Sequence, residues 1–106
     1  MKTPNKKLPE WLRAIFQIAL LGEIRPNVRL IAVSLSEDSA LFIRYYVDKE
    51  PTEDDHEHLD ILQTELSAMQ PTIQSITKMD AEFVVSIAPI NELDRLDGSV
   101  FTRREY

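Results

Sequence analysis

The sequence predicts a single α+β domain, residues 1–106, in which two main helices pack on an antiparallel sheet of four to five strands. Three observations predict this class. Two segments place apolar residues at the helical period, other segments are β-branched and aromatic, and 106 residues suit one hydrophobic core. The predicted order is α-β-β-α-β-β, with a further short strand at the end of the chain.

The first helix is predicted at residues 11–21. Pro9 suits a first helical turn, and Gly22 suits a C-terminal stop. Arg13 and Gln17 interrupt the apolar run, which is also shorter than the roughly 20 residues that span a membrane. We therefore expect an amphipathic core helix in a cytoplasmic protein, with no membrane partner. Its apolar stripe comprises Leu12, Ile15, Phe16, Ala19 and Leu20.

A β-hairpin is predicted next, because NVRLIAVSLS and ALFIRYYVD favour strands and the intervening SEDS favours a turn. Both segments carry apolar residues on both faces, so they should lie centrally in the sheet with one face under the helices. Tyr45 and Tyr46 are consecutive and must point to opposite faces. We expect one in the core, and the other exposed or covering the second face.

The second helix is predicted to begin after Thr52, which can cap it, and to end near Pro71. Acidic residues occupy its first turn, where the helix dipole favours them. The predicted inward stripe is Leu59, Leu62, Leu66 and Met69. The opposite face carries Glu53, Glu57, Asp60 and Thr64.

The C-terminal third predicts two strands, TIQSITKM and EFVVSIAPI, joined near Asp80 and Ala81. NELDRL predicts a helical turn with Leu93 and Leu96 inward, and a last short strand is predicted within SVFTRREY. Residues 103–106 are expected to fray, as chain ends usually do. The expected core includes Phe16, Leu20, Ile31, Val33, Ile43, Leu62, Leu66, Phe83 and Val85.

Several kinds of chemistry are excluded by composition. The absence of cysteine excludes disulfides, zinc-thiolate sites and cysteine nucleophiles. Two glycines are too few for a phosphate loop or a dinucleotide fingerprint. No nucleophile, base and oxyanion donors converge, so we expect no enzyme, no catalytic residue and no cofactor. The net charge of -6 argues against direct binding of nucleic acid and favours a basic partner, or serves solubility alone.

The segment EPTEDDHEHLD holds six carboxylates, two imidazoles and no basic residue. His56 with Asp60, and Glu53 with Glu57, have the i, i+4 spacing of metal ligands on a helix. One helix face, however, rarely supplies the three or four converging ligands that a metal needs, so we predict no metal site. A solvated helix start and a surface for a cationic partner remain the two alternatives.

Three stretches resemble the immunity proteins of bacterial contact-dependent growth-inhibition systems: KLPEWLRAIFQIALLGEIRP, SLSEDSALFIRYYVDKEPTEDD and LDRLDGSVFTRREY. The resemblance implies a protein that binds the C-terminal domain of a toxin delivered by a neighbouring cell, often a nuclease that acts on tRNA or DNA. It implies inhibition by occlusion, without catalysis. It transfers no individual binding residue.

A carboxylate-rich face can occupy the basic surface that a nuclease presents to its substrate. We expect toxin contacts from Glu50, Glu53, Asp54, Asp55, Glu57 and Asp60, with an exposed tyrosine from the pair Tyr45 and Tyr46. A weaker group is Glu92, Asp94 and Asp97. Two other functions remain open: an acidic adaptor or regulatory module unrelated to toxins, and a small carboxylate-based metal enzyme. Gene neighbourhood would test the first, and titration with divalent metal would test the second.

Overall fold

The computed structural model describes residues 8–22, 24–69 and 76–105. The α+β class, the two main helices and the predicted number of strands are confirmed. The elements are α1 (Glu10–Ala19), β1 (Val28–Leu35), β2 (Ala40–Val47), α2 (Glu53–Met69), β3 (Lys78–Val85), a short 3-10 helix (Ile90–Glu92) and β4 (Gly98–Thr102).

The four strands form one mixed sheet in the order β3-β2-β1-β4. β1 pairs antiparallel with β2 and with β4, so the hairpin and its central position are confirmed. β2 and β3, however, pair in parallel, and the prediction of a purely antiparallel sheet is wrong for this pair. The reason is the length of α2. A helix of 17 residues spans about 25 Å, close to the roughly 26 Å of an eight-residue strand, so α2 returns the chain to the end where β2 began.

The predicted turn at Asp80 and Ala81 is wrong, because both residues lie inside β3. They pair with Phe42 and Ile43 in a register that continues along the whole strand. Asp80 is exposed there, and an edge strand accommodates such a charge. The part of the predicted first strand at residues 72–75 lies outside the described residues.

The main core lies between the two helices and one face of the sheet. The prediction is confirmed for seven of the nine expected core residues, namely Phe16, Leu20, Ile31, Val33, Ile43, Leu62 and Leu66. Phe83 is only partly buried, and Val85 is 43% exposed. Both lie on β3, which has a neighbouring strand on one side only among the described strands.

The ends of α1 follow the predicted signals. Pro9 is the N-terminal cap residue with φ -60°, and Leu20 is the C-terminal cap. Gly22 follows with φ +78°, a backbone conformation that side chains with a Cβ rarely adopt. Neither described helix has the combination of length and apolar character needed to cross a membrane.

The second face of the sheet is covered by the segment 86–97. Leu93 packs with Leu30, Ala32 and Tyr46, which confirms the predicted inward leucine. Leu96 has φ +55°, a costly conformation for a residue with a side chain. The backbone N–H of Asp97 donates to the Val33 carbonyl at 3.0 Å, and this hydrogen bond fixes the end of the segment against β1.

Candidate functional site

Four exposed carboxylates line the start and the outer face of α2, namely Glu50, Glu53, Glu57 and Asp60, and we call them the α2 acidic surface. The spacing i, i+4, i+7 from Glu53 places three of them on one side of the helix. The buried leucines of α2 lie on the opposite side. Among residues 8–22, 24–69 and 76–105, no ion pair involves any of the four. Their negative charge is therefore left uncompensated within the described structure.

Asp55 belongs to the same acidic segment but has a structural role. Its Oδ2 accepts hydrogen bonds from the Thr52 N–H at 2.8 Å and from Asn27 Nδ2 at 3.3 Å. The Asp55 N–H donates in return to Thr52 Oγ1 at 3.3 Å, which makes a reciprocal cap of the helix start. Burial raises the pKa of Asp55, but hydrogen bonds from Thr52 and Asn27 outweigh it, so the net pKa is lowered. Asp55 is 7% exposed, so it lies outside the exposed acidic face, and its expected contact with a toxin stays a prediction.

Asp54 is exposed but already paired. Its Oδ2 lies 2.6 Å from Nη2 of Arg25, which comes from the loop before β1. Arg25 Nε also lies 3.6 Å from Asp55 Oδ1. The acidic segment contains no cation of its own, yet the fold supplies one to these two aspartates.

Both tyrosines of the predicted site are buried. Tyr45 is 4% exposed and packs edge-on to Phe83, with ring centroids 5.5 Å apart. Tyr46 is 5% exposed on the other face, and its hydroxyl donates to the Asp94 carbonyl at 2.9 Å. The expectation of an exposed tyrosine is wrong, whereas the expectation that the second tyrosine covers the other sheet face is confirmed.

The weaker acidic group is divided in the same way. Asp94 Oδ1 accepts the Leu96 N–H at 2.9 Å, and Asp97 Oδ2 accepts the Leu35 N–H at 3.2 Å. These two carboxylates therefore hold the segment 86–97 in place. Glu92 is exposed, and its carboxylate makes no ion pair or hydrogen bond to another described residue.

The two histidines of α2 point in different directions. His56 packs edge-on to Phe83 with ring centroids 4.9 Å apart, while His58 Nε2 lies 3.9 Å from Asp54 and 3.5 Å from Arg25 Nη1. In the part of the chain that the structure describes, no group of three or more histidine, aspartate or glutamate side chains is placed to hold a metal ion.

Arg103 and Glu105 are anchored, so the expectation of a frayed end is wrong for these two residues, while Tyr106 lies outside the described residues. Glu105 forms a bidentate pair with Arg29, at 2.9 and 2.7 Å, and also contacts Arg103 Nη2 at 2.9 Å. Arg103 in turn pairs with Asp48 at 2.9 Å. The sequence held one signal of this network: Arg29 is a single cation inside the apolar strand VRLIAVSL, and a buried arginine requires a partner.

A family model for the MafI2 immunity protein matches residues 9–105. The chain belongs to the MafI2 immunity protein family. Such a protein is a non-enzymatic inhibitor, and its partner is a toxin, so the resemblance to immunity proteins is confirmed at this level. No curated protein matches the chain.

In this MafI2 family member, the fold separates two kinds of acidic residue. Asp55, Asp94 and Asp97 stabilise loops and helix ends through backbone hydrogen bonds. The α2 acidic surface makes no such contact in the described structure and is accessible to a partner.

Proposed function

We propose that this protein binds the C-terminal domain of a cognate toxin, a basic nuclease such as a tRNase, and blocks its functional surface. The bacterium that makes it receives this toxin from a neighbouring cell by contact-dependent growth inhibition and is protected in its cytoplasm. Family membership supports a toxin as the partner. The observation that carries the basic character of that partner is the uncompensated charge of the α2 acidic surface.

The electrostatic argument begins with what neutralises each carboxylate. Arg25 is already engaged by Asp54 and Asp55. No cation among the described residues pairs with the α2 acidic surface in this way. Its potential therefore extends into solvent over about one Debye length, roughly 8 Å at physiological ionic strength. Such a field speeds encounter with a basic protein and penalises an acidic one.

The mode of inhibition follows from the chemistry of a nuclease. An enzyme that cleaves RNA or DNA presents lysine and arginine side chains to the phosphates of its substrate. A surface of carboxylates complements the same side chains. An inhibitor bound there excludes the nucleic acid without any catalytic step.

The test compares two triple variants in binding to the toxin domain that we expect the neighbouring gene to encode. One is Glu53→Ala with Glu57→Ala and Asp60→Ala. The matched control is Glu10→Ala with Glu37→Ala and Asp38→Ala, which removes three exposed carboxylates elsewhere and so changes the net charge equally. A further variant, Glu92→Ala, tests the exposed member of the weaker group, because the carboxylates of Asp94 and Asp97 hold the segment 86–97 in place.

We expect the α2 variant to lose affinity and protection of toxin-exposed cells, and the control to retain both. If the carboxylates lie at a solvated rim, association slows and becomes less sensitive to salt. If they are desolvated against cations, each loss costs about 2 to 5 kcal/mol. A folded α2 variant that binds the toxin like the wild type at every salt concentration would refute this surface as the contact site.

A further inference from the structure

We propose that the toxin adds an extended segment of its own chain to the free edge of β3, so that its strand continues the sheet beyond β3. This inference rests on the proposed function, because it takes the toxin as the partner. It names a second contact surface, adjacent to α2, and a backbone-directed mode of binding.

The free edge is a consequence of the strand order β3-β2-β1-β4. Among the described strands, β3 pairs only with β2, in an unbroken register from Lys78 to Val85. In a parallel pair, only alternate residues direct their N–H and C=O groups to the neighbouring strand. The other backbone groups of β3 point away from β2. An edge of this kind is a template for strand addition.

The opposite edge of the sheet is less suitable. β4 has five residues, and its pairing with β1 shifts register between Ile31 and Ala32. Arg95 donates hydrogen bonds to Ser99 Oγ and to Thr102 Oγ1, so these two side chains of β4 already have a partner. Short length and irregular register both protect an edge from pairing. β3 has eight residues and a regular register.

The side chains of β3 indicate the chemistry of the incoming strand. On the helix side, Phe83 is partly buried beneath α2 and Val85 is 43% exposed. On the other side, Asp80 pairs with Lys78 at 3.5 Å and Glu82 pairs with Arg44 at 2.6 Å. The side chains of Asp80 and Glu82 nevertheless stay 61% and 42% exposed, so each carboxylate has an open side towards the free edge. A strand that alternates apolar residues with lysine or arginine would cover Val85 with the first kind and place a second cation beside each of these carboxylates with the second. A basic toxin domain fits this pattern.

A second copy of the same chain fits less well. If two copies of β3 paired antiparallel about the middle of the strand, Asp80 would lie opposite Glu82 of the copy, or Glu82 opposite Glu82. Like charges directly across a strand pair are destabilising. The net charge of -6 adds to this repulsion.

The first test is hydrogen exchange of the full chain, alone and with the toxin domain encoded beside it. We expect amide exchange in Lys78–Val85 to slow by about tenfold or more in the complex, while β4 is unchanged. Unchanged exchange in β3 within a formed complex would overturn the edge proposal and leave the proposed function intact. The absence of any complex would overturn both. Protection of β3 in the chain alone, rising with its concentration, would identify a second copy and overturn the toxin assignment.

The second test reverses one charge at the edge. Asp80→Lys should weaken toxin binding by about tenfold or more, because it repels the cations of the added strand. Among the described residues, the Asp80 carboxylate pairs with the exposed Lys78 at 3.5 Å, so the fold should tolerate the change. The control Glu10→Lys alters the net charge equally at an exposed position of α1. Equal weakening of toxin binding by both variants would show that the net charge of the protein causes the effect, and it would overturn the proposal.

Discussion

Acidic residues have different roles in this protein, and the role of each depends on the groups that its carboxylate contacts. Asp55 and Glu57 are two positions apart on α2, yet Asp55 is buried among hydrogen-bond donors and Glu57 is exposed. A buried carboxylate must be hydrogen-bonded, because it cannot otherwise replace its lost hydration. Asp55 therefore stabilises the fold, and Glu57 is available for binding.

We predict that Asp55→Ala lowers the free energy of unfolding by about 1 to 3 kcal/mol, since it removes the cap and leaves Thr52 and Asn27 donors unsatisfied. Glu53→Ala, an exposed change in the same helical turn, should cost no more than about 1 kcal/mol. Urea unfolding of both variants measures the difference. Equal losses would show that the charge near the helix start, and not the cap, is what matters.

The C-terminal network predicts a pH dependence. The bidentate hydrogen bonds from Arg29, together with those from Arg103, lower the pKa of Glu105 from 4.5 to about 2. A carboxyl group with a lowered folded-state pKa contributes its full stability above the unfolded value, and this stability is lost as the pH falls. The contribution of Glu105 should thus be complete above about pH 5 and disappear between pH 4.5 and 2.

The variant Glu105→Gln tests this dependence. It should be less stable than the wild type at neutral pH, and the difference should shrink as the pH falls through that window. Glu37→Gln, in the exposed β1–β2 turn, serves as the control. A difference between Glu105→Gln and the wild type that stays constant from pH 7 to 2 would contradict the assignment.

At the scale of elements, α2 contributes one face to the core and the other to the surface. Leu62 and Leu66 are fully buried, whereas Ile61 is 45% exposed on the same helix. The position of α2 also sets the direction of β3. A single helix thus fixes the parallel pair and displays the α2 acidic surface.

We predict that Leu62→Ala and Leu66→Ala each destabilise the protein by about 2 to 5 kcal/mol, the usual cost of truncating a buried leucine. Ile61→Ala should cost less than either leucine change, about 1 kcal/mol, because roughly half of its side chain is already exposed. Chemical denaturation measures all three. Losses below about 1 kcal/mol at both leucines would mean that this helix does not pack on the sheet as described.

At the scale of the whole molecule, a MafI2 immunity protein inhibits by forming a complex. Its capacity is therefore set by the number of toxin molecules that it binds. An inhibitor that acted as an enzyme would instead inactivate many toxin molecules per chain.

We predict that residual toxin activity falls linearly with added protein and reaches its minimum at a fixed molar ratio. EDTA should leave this neutralisation unchanged, because in the described residues no three ligating side chains are placed for a metal. The measurement is a titration of toxin activity with and without EDTA. Loss of neutralisation in EDTA, restored by zinc, would contradict it, as would complete inactivation at a small fraction of the molar amount.

The sequence by itself determined the features that depend on local periodicity. Helical spacing predicted the buried stripes of α1 and α2 and the outward position of Glu53, Glu57 and Asp60. β-Branched and aromatic runs predicted the β1–β2 hairpin and its central place. Each of these depends on residues a few positions apart, which the chain order alone specifies.

Only the tertiary structure decided the features that depend on distant partners. Asp55 accepts a hydrogen bond from Asn27, which lies 28 residues away in the chain, and Arg29 is neutralised by Glu105, which lies 76 residues away. β3 runs parallel to β2 because a helix of matching length intervenes, and Tyr46 is buried because the segment 86–97 folds over the second sheet face. Such contacts follow from how packed elements meet, and no local pattern of residues encodes them.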